Sequence, residues 1–363
     1  MAAAAGPVLG TRVLGRATLE RQGLLRRAPG GVHATLERLV GLQGQVPQVP
    51  YTALWDRLEG FDPEELSAAM ADRSVVRATL MRGTLHTVTS EDALGLAPLM
   101  APVLARAFGS TAWGQRLRGV DLEPVLAAAR ELVEERPRTR AALGQALGER
   151  FPELDGGSVA YAFSYLVSTV QPPPRGLWRR SGPAALTTTE SWLGQAPAPM
   201  PAQTLVRRYL GAFGPATVMD VQAWCGLTRL REVTDGMDLR RYRTRDGAEL
   251  LDLPDAALPD PDVPAPVRLL PEYDNALLGY ADRSRVGAGR AVRWPEHGPG
   301  GAIGTVLVDG LAAGTWVLRR QPLKLQVTPL FPLAAPERDE MTGEGVALAA
   351  FLRPGREVAV EVR

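Results

Sequence analysis

The chain has 363 residues, of which 45% are hydrophobic and 22% charged; these values exclude a disordered or collagen-like chain and, at roughly 100 to 200 residues per domain, suggest two to four domains. Its 41 basic and 40 acidic side chains leave a formal charge of +1, which excludes a histone-like polycation and leaves any nucleic-acid contact to local clusters. Lys324 is the sole lysine and Cys225 the sole cysteine, so a Walker-type phosphate loop and an intrachain disulfide are both excluded.

The opening MAAAAGPVLG lacks the basic region of a secretory leader and is set aside from the fold, and no stretch approaches about 18 consecutive apolar residues. A soluble cytoplasmic protein without membrane contact is expected. His33, His86 and His297 are dispersed and with one cysteine make no zinc site of ordinary spacing. No metal and no cofactor is expected.

Between residues 12 and 110, Val32, Leu36, Leu39 and Val40 share one helical face, and Asp62-Pro63-Glu64-Glu65 predicts a helix start with Pro in the first position and acids in the first turn. RATLM and TLHTVT predict a hairpin that turns at Arg82-Gly83, where glycine can take positive φ. Asp121 predicts the cap of a helix with Leu122, Val125, Leu126, Ala129, Leu132 and Val133 inward, stopped at Pro137. Ala142, Leu143, Ala146 and Leu147 mark a second helix; Val159, Phe163, Leu166 and Val167 mark a third. Gly156-Gly157-Ser158 reads as a helix start, since it lacks the closing glycine and preceding strand of a nucleophile elbow. QPPPRGLWRRSGPAALTTTE then fits two strands around an Arg-rich loop.

The pattern returns once more. Leu205, Val206, Tyr209, Leu210 and Phe213 form a helical face ending at Gly214-Pro215, Val218, Val221 and Trp224 precede Gly226, and Thr228 predicts the cap of a helix with Leu230, Val233 and Met237 inward. DLRRYRTR and AELLDLP flank a turn at Arg245-Asp246-Gly247. After LPDPDVPAPV, the runs GTVLVDG, GTWVLRR, LKLQVTPL and EVAVEV predict a small barrel. The expected class is α+β: three tandem winged-helix units, each helix-turn-helix plus β-hairpin, over 12–118, 119–195 and 196–262, followed by a C-terminal β-barrel over 263–363.

Four segments, LQGQ (Leu42 to Gln45), LMRGTLHTV (Leu80 to Val88), LLPEYDNALLGYADRSRV (Leu269 to Val286) and VLVDGLAAGTW (Val306 to Trp316), carry a resemblance to the winged-helix DNA glycosylases of the AlkZ and YcaQ type that extends over nearly the full chain. The resemblance implies three winged helices around a channel, a C-terminal β-barrel, and metal-free hydrolysis of the N-glycosidic bond of N7-alkylated purines, bulky or interstrand-crosslinked adducts included, leaving an abasic site. DNA repair or self-resistance to a genotoxin, in a bacterial cytoplasm at the nucleoid, is the implied setting. The partner is double-stranded DNA carrying alkylated or crosslinked purines, met by a monomer. The family's catalytic motif, a Gln, a spacer and a second polar residue, matches Gln43-Gly44-Gln45. The second Gln sides with the AlkZ branch, whereas the YcaQ branch has Asp there; the Gly44 spacer departs from the larger apolar residue of the family.

Residues i and i+2 of an extended segment project to one side, whereas on a helix they diverge by about 200°, so an extended Gln43-Gly44-Gln45 would turn both amides toward one water. An N7-alkylated guanine is already cationic and leaves readily, so oriented amide dipoles suffice where proton transfer is not needed. A Gln pair after a helix end is also an ordinary loop feature. For DNA contact the expected residues are Arg82 and His86 on the first hairpin, Arg179 and Arg180 with Arg175 on the second, and Arg241, Arg243 and Arg245 with Arg240 on the third. Arg283 and Arg285 join them, or form ion pairs with Glu272, Asp274 and Asp282 that hold their loop. Lys324 is expected to face solvent. A non-enzymatic winged-helix transcription regulator is the alternative; it needs a dimer to read symmetric half-sites and leaves the paired Gln without a role.

Overall fold

Short polar side chains set the helix starts. Asp62, Thr89, Thr139, Asp155 and Thr217 each accept a backbone N–H from the first turn of the helices Pro63–Ala71, Ser90–Gly109, Arg140–Arg150, Gly156–Leu166 and Val218–Cys225. The computed structural model describes residues 6–287 and 303–363; His297 lies outside them. The class is mixed α+β, and among the described residues no helix is long and apolar enough to cross a membrane.

In the first third, the helix Val32–Leu39 leads into β1 (Leu42–Gln43), and β2 (Val75–Thr79) and β3 (Leu85–Thr89) form the expected hairpin around Arg82 and Gly83, at φ 57 and 71. The next segment folds as the helices Glu123–Glu135, Arg140–Arg150 and Gly156–Leu166 with β4 (Arg138–Thr139), β5 (Thr169–Val170) and β6 (Ala185–Thr188). β5 and β6 pair antiparallel around the Arg-rich loop, as expected, but this hairpin does not stand apart from the first. Ala78 pairs with Val170, and one six-stranded sheet results, in the order β1-β3-β2-β5-β6-β4. The outer edge of β2 presents unpaired backbone groups, and β5 satisfies them.

The helices Ala202–Phe213, Val218–Cys225 and Leu230–Thr234 precede β7 (Arg240–Arg243) and β8 (Glu249–Asp252). The third helix starts at Leu230, whose N–H is taken by Gln222 Oε1 at 2.9 Å, and Thr228 does not cap it. Residues of the opening segment, expected to stand apart, cover the free edge of β7: Leu9 N–H donates to Arg243 O and Arg243 N–H to Pro7 O. The main core joins Leu36, Leu42 and Val88 to Leu205, Phe213 and Trp224, whereas Val125, Val133, Leu143 and Phe163 form a core of their own.

The C-terminal strands are β9 (Arg268–Leu270), β10 (Gly304–Val308), β11 (Leu311–Arg320), β12 (Leu323–Pro329) and β13 (Ala359–Val362), in the order β13-β12-β11-β10-β9. Among the described residues no closed barrel is found: β9 and β13 remain edges. The sequence pattern did not reveal the helix Ala335–Leu352, whose Met341, Leu348 and Ala349 pack with Trp316, Leu325 and Val327 of the sheet. Burying one face under a helix removes the need to curl around a core. The helix also returns the chain so that β13 runs parallel to β12. Lys324 pairs with Glu361 across that ladder at 2.6 Å and is not a free surface cation.

Candidate active site at Gln43-Gly44-Gln45

The helix Val32–Leu39 ends through two left-handed residues, Val40 at φ 56 and Gly41 at φ 86. A β-carbon on Gly41 would lie 2.3 Å from Val88 Cγ1, so only glycine lets the chain turn this close to β3. β1 then pairs Leu42 with Thr87 and Gln43 with His86, and Gly44 N–H donates to Leu85 O at 2.7 Å. The extended conformation read from the sequence therefore holds from Leu42 to Gln43 and in the next hydrogen bond, after which Gln45 lies on a bend.

Gln43 is 6% exposed, and its Oε1 accepts from Arg82 Nη2 at 2.9 Å. Gln45 is exposed, and its Oε1 accepts the Leu85 N–H at 3.3 Å. Each amide is thereby oriented by one fixed donor. The glycine spacer has a local cause: a β-carbon at Gly44 would come within 2.9 Å of Thr87 Oγ1. In this chain the threonine of β3 occupies the room a spacer side chain needs.

Two residues expected on DNA turn inward. Arg82 donates to Gln43 and to the carbonyl of Trp224 in a short contact, so the hairpin tip is folded against the end of the helix Val218–Cys225. Its guanidinium is partly buried and committed within the protein, and burial followed by the nearby Arg283 cation lowers its pKa. His86 is 2% exposed and shares the sheet face of Gln43. Burial, reinforced by the Arg82 cation, pushes its pKa down to about 3, and Nδ1–H donates to Thr84 O at 3.0 Å. It is a neutral, buried imidazole and not the exposed hairpin side chain that the sequence suggested.

Arg179, Arg180, Arg241, Arg243, Arg245 and Arg283 are exposed. The Arg179 loop is anchored close to the motif, with Gln48 accepting the Arg179 N–H at 2.9 Å and donating to Leu177 O at 3.0 Å. Arg241 is bound to Glu249 at 2.6 Å, whereas among the described residues Arg243 and Arg245 form no ion pair. Arg285 corrects the expectation: it is 5% exposed, donates to Pro215 O at 2.9 Å and lies over the Tyr280 ring at 3.9 Å. Of the acids beside it, Asp274 forms its ion pair with Arg57 and not with the Arg283 or Arg285 expected, through two bonds of 2.7 and 2.8 Å with both side chains fully buried. Asp282 accepts the Ser284 N–H and closes its own turn.

A family model described as DNA glycosylase AlkZ-like matches residues 36–351. An interstrand DNA cross-link repair glycosylase of Streptomyces sahachiroi is 28% identical over a 347-residue alignment that covers 86% of this chain and 88% of that protein. The solved structure of the Streptomyces sahachiroi DNA glycosylase AlkZ is similar to 98% of this chain and covers 100% of its own, with a TM-score of 0.75 and 24% identity. At that identity the likeness speaks for the fold alone.

Proposed function

The chain belongs to the AlkZ-like DNA glycosylase family, and from that premise we propose that it hydrolyses the N-glycosidic bond of N7-alkylated purines in duplex DNA, bulky and interstrand-crosslinked adducts included. The observation that carries the reading is the pair of pre-oriented amides: Gln43 Oε1 held by Arg82 and Gln45 Oε1 held by the Leu85 N–H. An amide oxygen has two lone pairs, so each keeps one for a water or for developing positive charge. One oxygen orients the water toward C1′, and the other faces the oxocarbenium charge as the bond to the base lengthens. The bonding electrons pass to the purine and neutralise it, the water oxygen bonds to C1′, and its proton goes to solvent. The product is an abasic site.

No general acid is asked of the protein, because the leaving base carries its own positive charge, and the neutral His86, whose Nδ1–H is engaged by Thr84 O, is no acid near neutrality. Three winged-helix units over 12–118, 119–195 and 196–262 would flank the duplex, with Arg179, Arg180, Arg243, Arg245 and Arg283 on phosphates and Arg241 contributing less beside Glu249. The protein works as a monomer in this reading. The test is a duplex carrying one N7-alkylguanine, assayed for abasic sites under single turnover, with a binding titration alongside. Gln43→Ala and Gln45→Ala are expected to lose excision and keep DNA affinity; wild-type excision in both would refute the assignment.

A further inference from the structure

β2 reads Val-Val-Arg-Ala-Thr and is buried along its first four residues. A cation inside such a run is costly unless a carboxylate accompanies it. Arg77 is 1% exposed, and among the described residues no carboxylate pairs with it. The charged side chain that acts on it is another cation, Arg175, and burial followed by that cation brings its pKa down to about 10. What its guanidinium does instead is specific: Nη2 donates to the carbonyl of Gly44 at 2.8 Å, and Nη1 to Gln171 Oε1 at 3.0 Å.

The surroundings are shaped around this side chain. Gly176, at φ 105, lies so close that a β-carbon there would be 2.6 Å from Arg77 Cδ, and Tyr51 Oη donates to the Gly176 carbonyl at 2.8 Å. Thr87 is opposite Arg77 in the ladder, on the same sheet face, and its hydroxyl fills the space above Gly44. A glycine peptide has no side chain to limit its rotation. Here both peptide groups that flank the Gly44 Cα are held, the N–H of one by Leu85 O and the carbonyl of the other by Arg77.

We propose that Arg77 is a positioning residue of the glycosylase site: it clamps the Gly44 carbonyl so that Gln43 and Gln45 keep their reactive orientation, and through Gln171 and Gly176 it makes that orientation depend on the docked 171–180 loop. The inference rests on the reading of Gln43 and Gln45 as the residues that act on the water. It accounts for a buried cation without an anion beside the motif, since the carbonyl it holds belongs to the one residue of the motif that cannot hold itself.

The experiment compares full-length Arg77→Gln and Arg77→Lys with Gln43→Ala and Gln45→Ala, reading single-turnover excision on a duplex with one N7-methylguanine, Kd for that duplex, and Tm. Arg77→Gln should slow excision by about ten- to a hundredfold, the scale of a misplacement of about 1 Å. Kd should stay within about twofold, and Tm should not fall, because an unpaired buried charge has been removed. Arg77→Lys keeps a cationic donor and should recover part of the rate at about pH 6. Burial lowers a lysine pKa, so that recovery should fade as pH rises toward about 9, while wild type shows no such loss. Wild-type excision in Arg77→Gln with slow Gln43→Ala and Gln45→Ala would overturn this inference and leave the site reading intact. Parallel losses of Tm, affinity and excision, or an Arg77→Lys rate equal to that of Arg77→Gln at every pH, would reduce Arg77 to scaffold. Fast excision by both Gln variants would remove the site reading and this inference with it.

Discussion

Gly44 and Thr87 show how one absent β-carbon sets the backbone path of the Gln43-Gly44-Gln45 segment. A β-carbon at Gly44 meets Thr87 Oγ1 at 2.9 Å, and the hydroxyl is fully buried on a β-branched side chain that has little rotamer freedom. Gly44→Ala should destabilise the fold by about 1–3 kcal/mol, as overpacking does, and slow excision. Adding Thr87→Ala should restore most of both, and a double-mutant cycle of denaturation and single-turnover rates checks the coupling. His86 makes a prediction about pH. Its folded pKa of about 3 lies below the ordinary 6.5, so its contribution to stability is complete above about pH 6.5 and is lost as pH falls toward 3. Denaturation midpoints should decline over that window, and His86→Gln should flatten the decline. Excision should show no titration of His86 near neutrality, since the imidazole is already deprotonated there.

At the scale of elements, the three hairpins share a pattern and differ in use. The first carries its arginine inward to Gln43, the loop of the second leans on Gln48, and the third presents Arg243 and Arg245 outward without ion pairs among the described residues. The third hairpin should therefore carry a share of the salt dependence of binding, beside Arg179, Arg180 and Arg283. Arg243→Ala/Arg245→Ala should reduce the slope of log K against log salt by about 0.9 for each phosphate that is no longer neutralised, irrespective of sequence. Arg241→Ala should change it less, because Glu249 already offsets that charge. Excision at saturating protein should be unaffected in both variants; salt titrations beside single-turnover rates distinguish positioning on the backbone from bond cleavage. An unchanged slope in the double variant would remove the third hairpin from the phosphate surface and leave Arg179, Arg180 and Arg283 to carry it.

Across the whole molecule, distant segments are tied by ion pairs that are buried or partly buried. Arg57, after the helix Val49–Trp55, grips Asp274 just after β9, and Arg27 and Arg268 meet at Glu344 of the helix Ala335–Leu352. The Arg57–Asp274 pair is fully buried, so removing one partner strands the other charge. Asp274→Ala should cost about 3–5 kcal/mol, read from urea denaturation, and the loss should be one cooperative shift if the pair joins regions that unfold together. The opening segment is a second tie, since residues 7–9 complete the edge of β7.

By itself the sequence determined the local elements. The faces of Val32–Leu39 and Ala202–Phe213, the Asp62-Pro63 start and the Arg82-Gly83 turn are written in periodicity, caps and turn residues, which act over a few positions. The resemblance carried by LQGQ and LMRGTLHTV pointed to the family before any geometry. Tertiary structure decided what each side chain faces. Arg82 and Arg285 look like solvent cations in sequence, and become buried donors only because Trp224 and Pro215 bring carbonyls to them. Arg77 had one visible signal, a charge inside an apolar run, but its acceptors lie 33 and 94 positions away. The open C-terminal sheet was hidden for a related reason: short β-branched runs suit a barrel or a covered sheet alike, and only the packing of Ala335–Leu352 on one face decides between them.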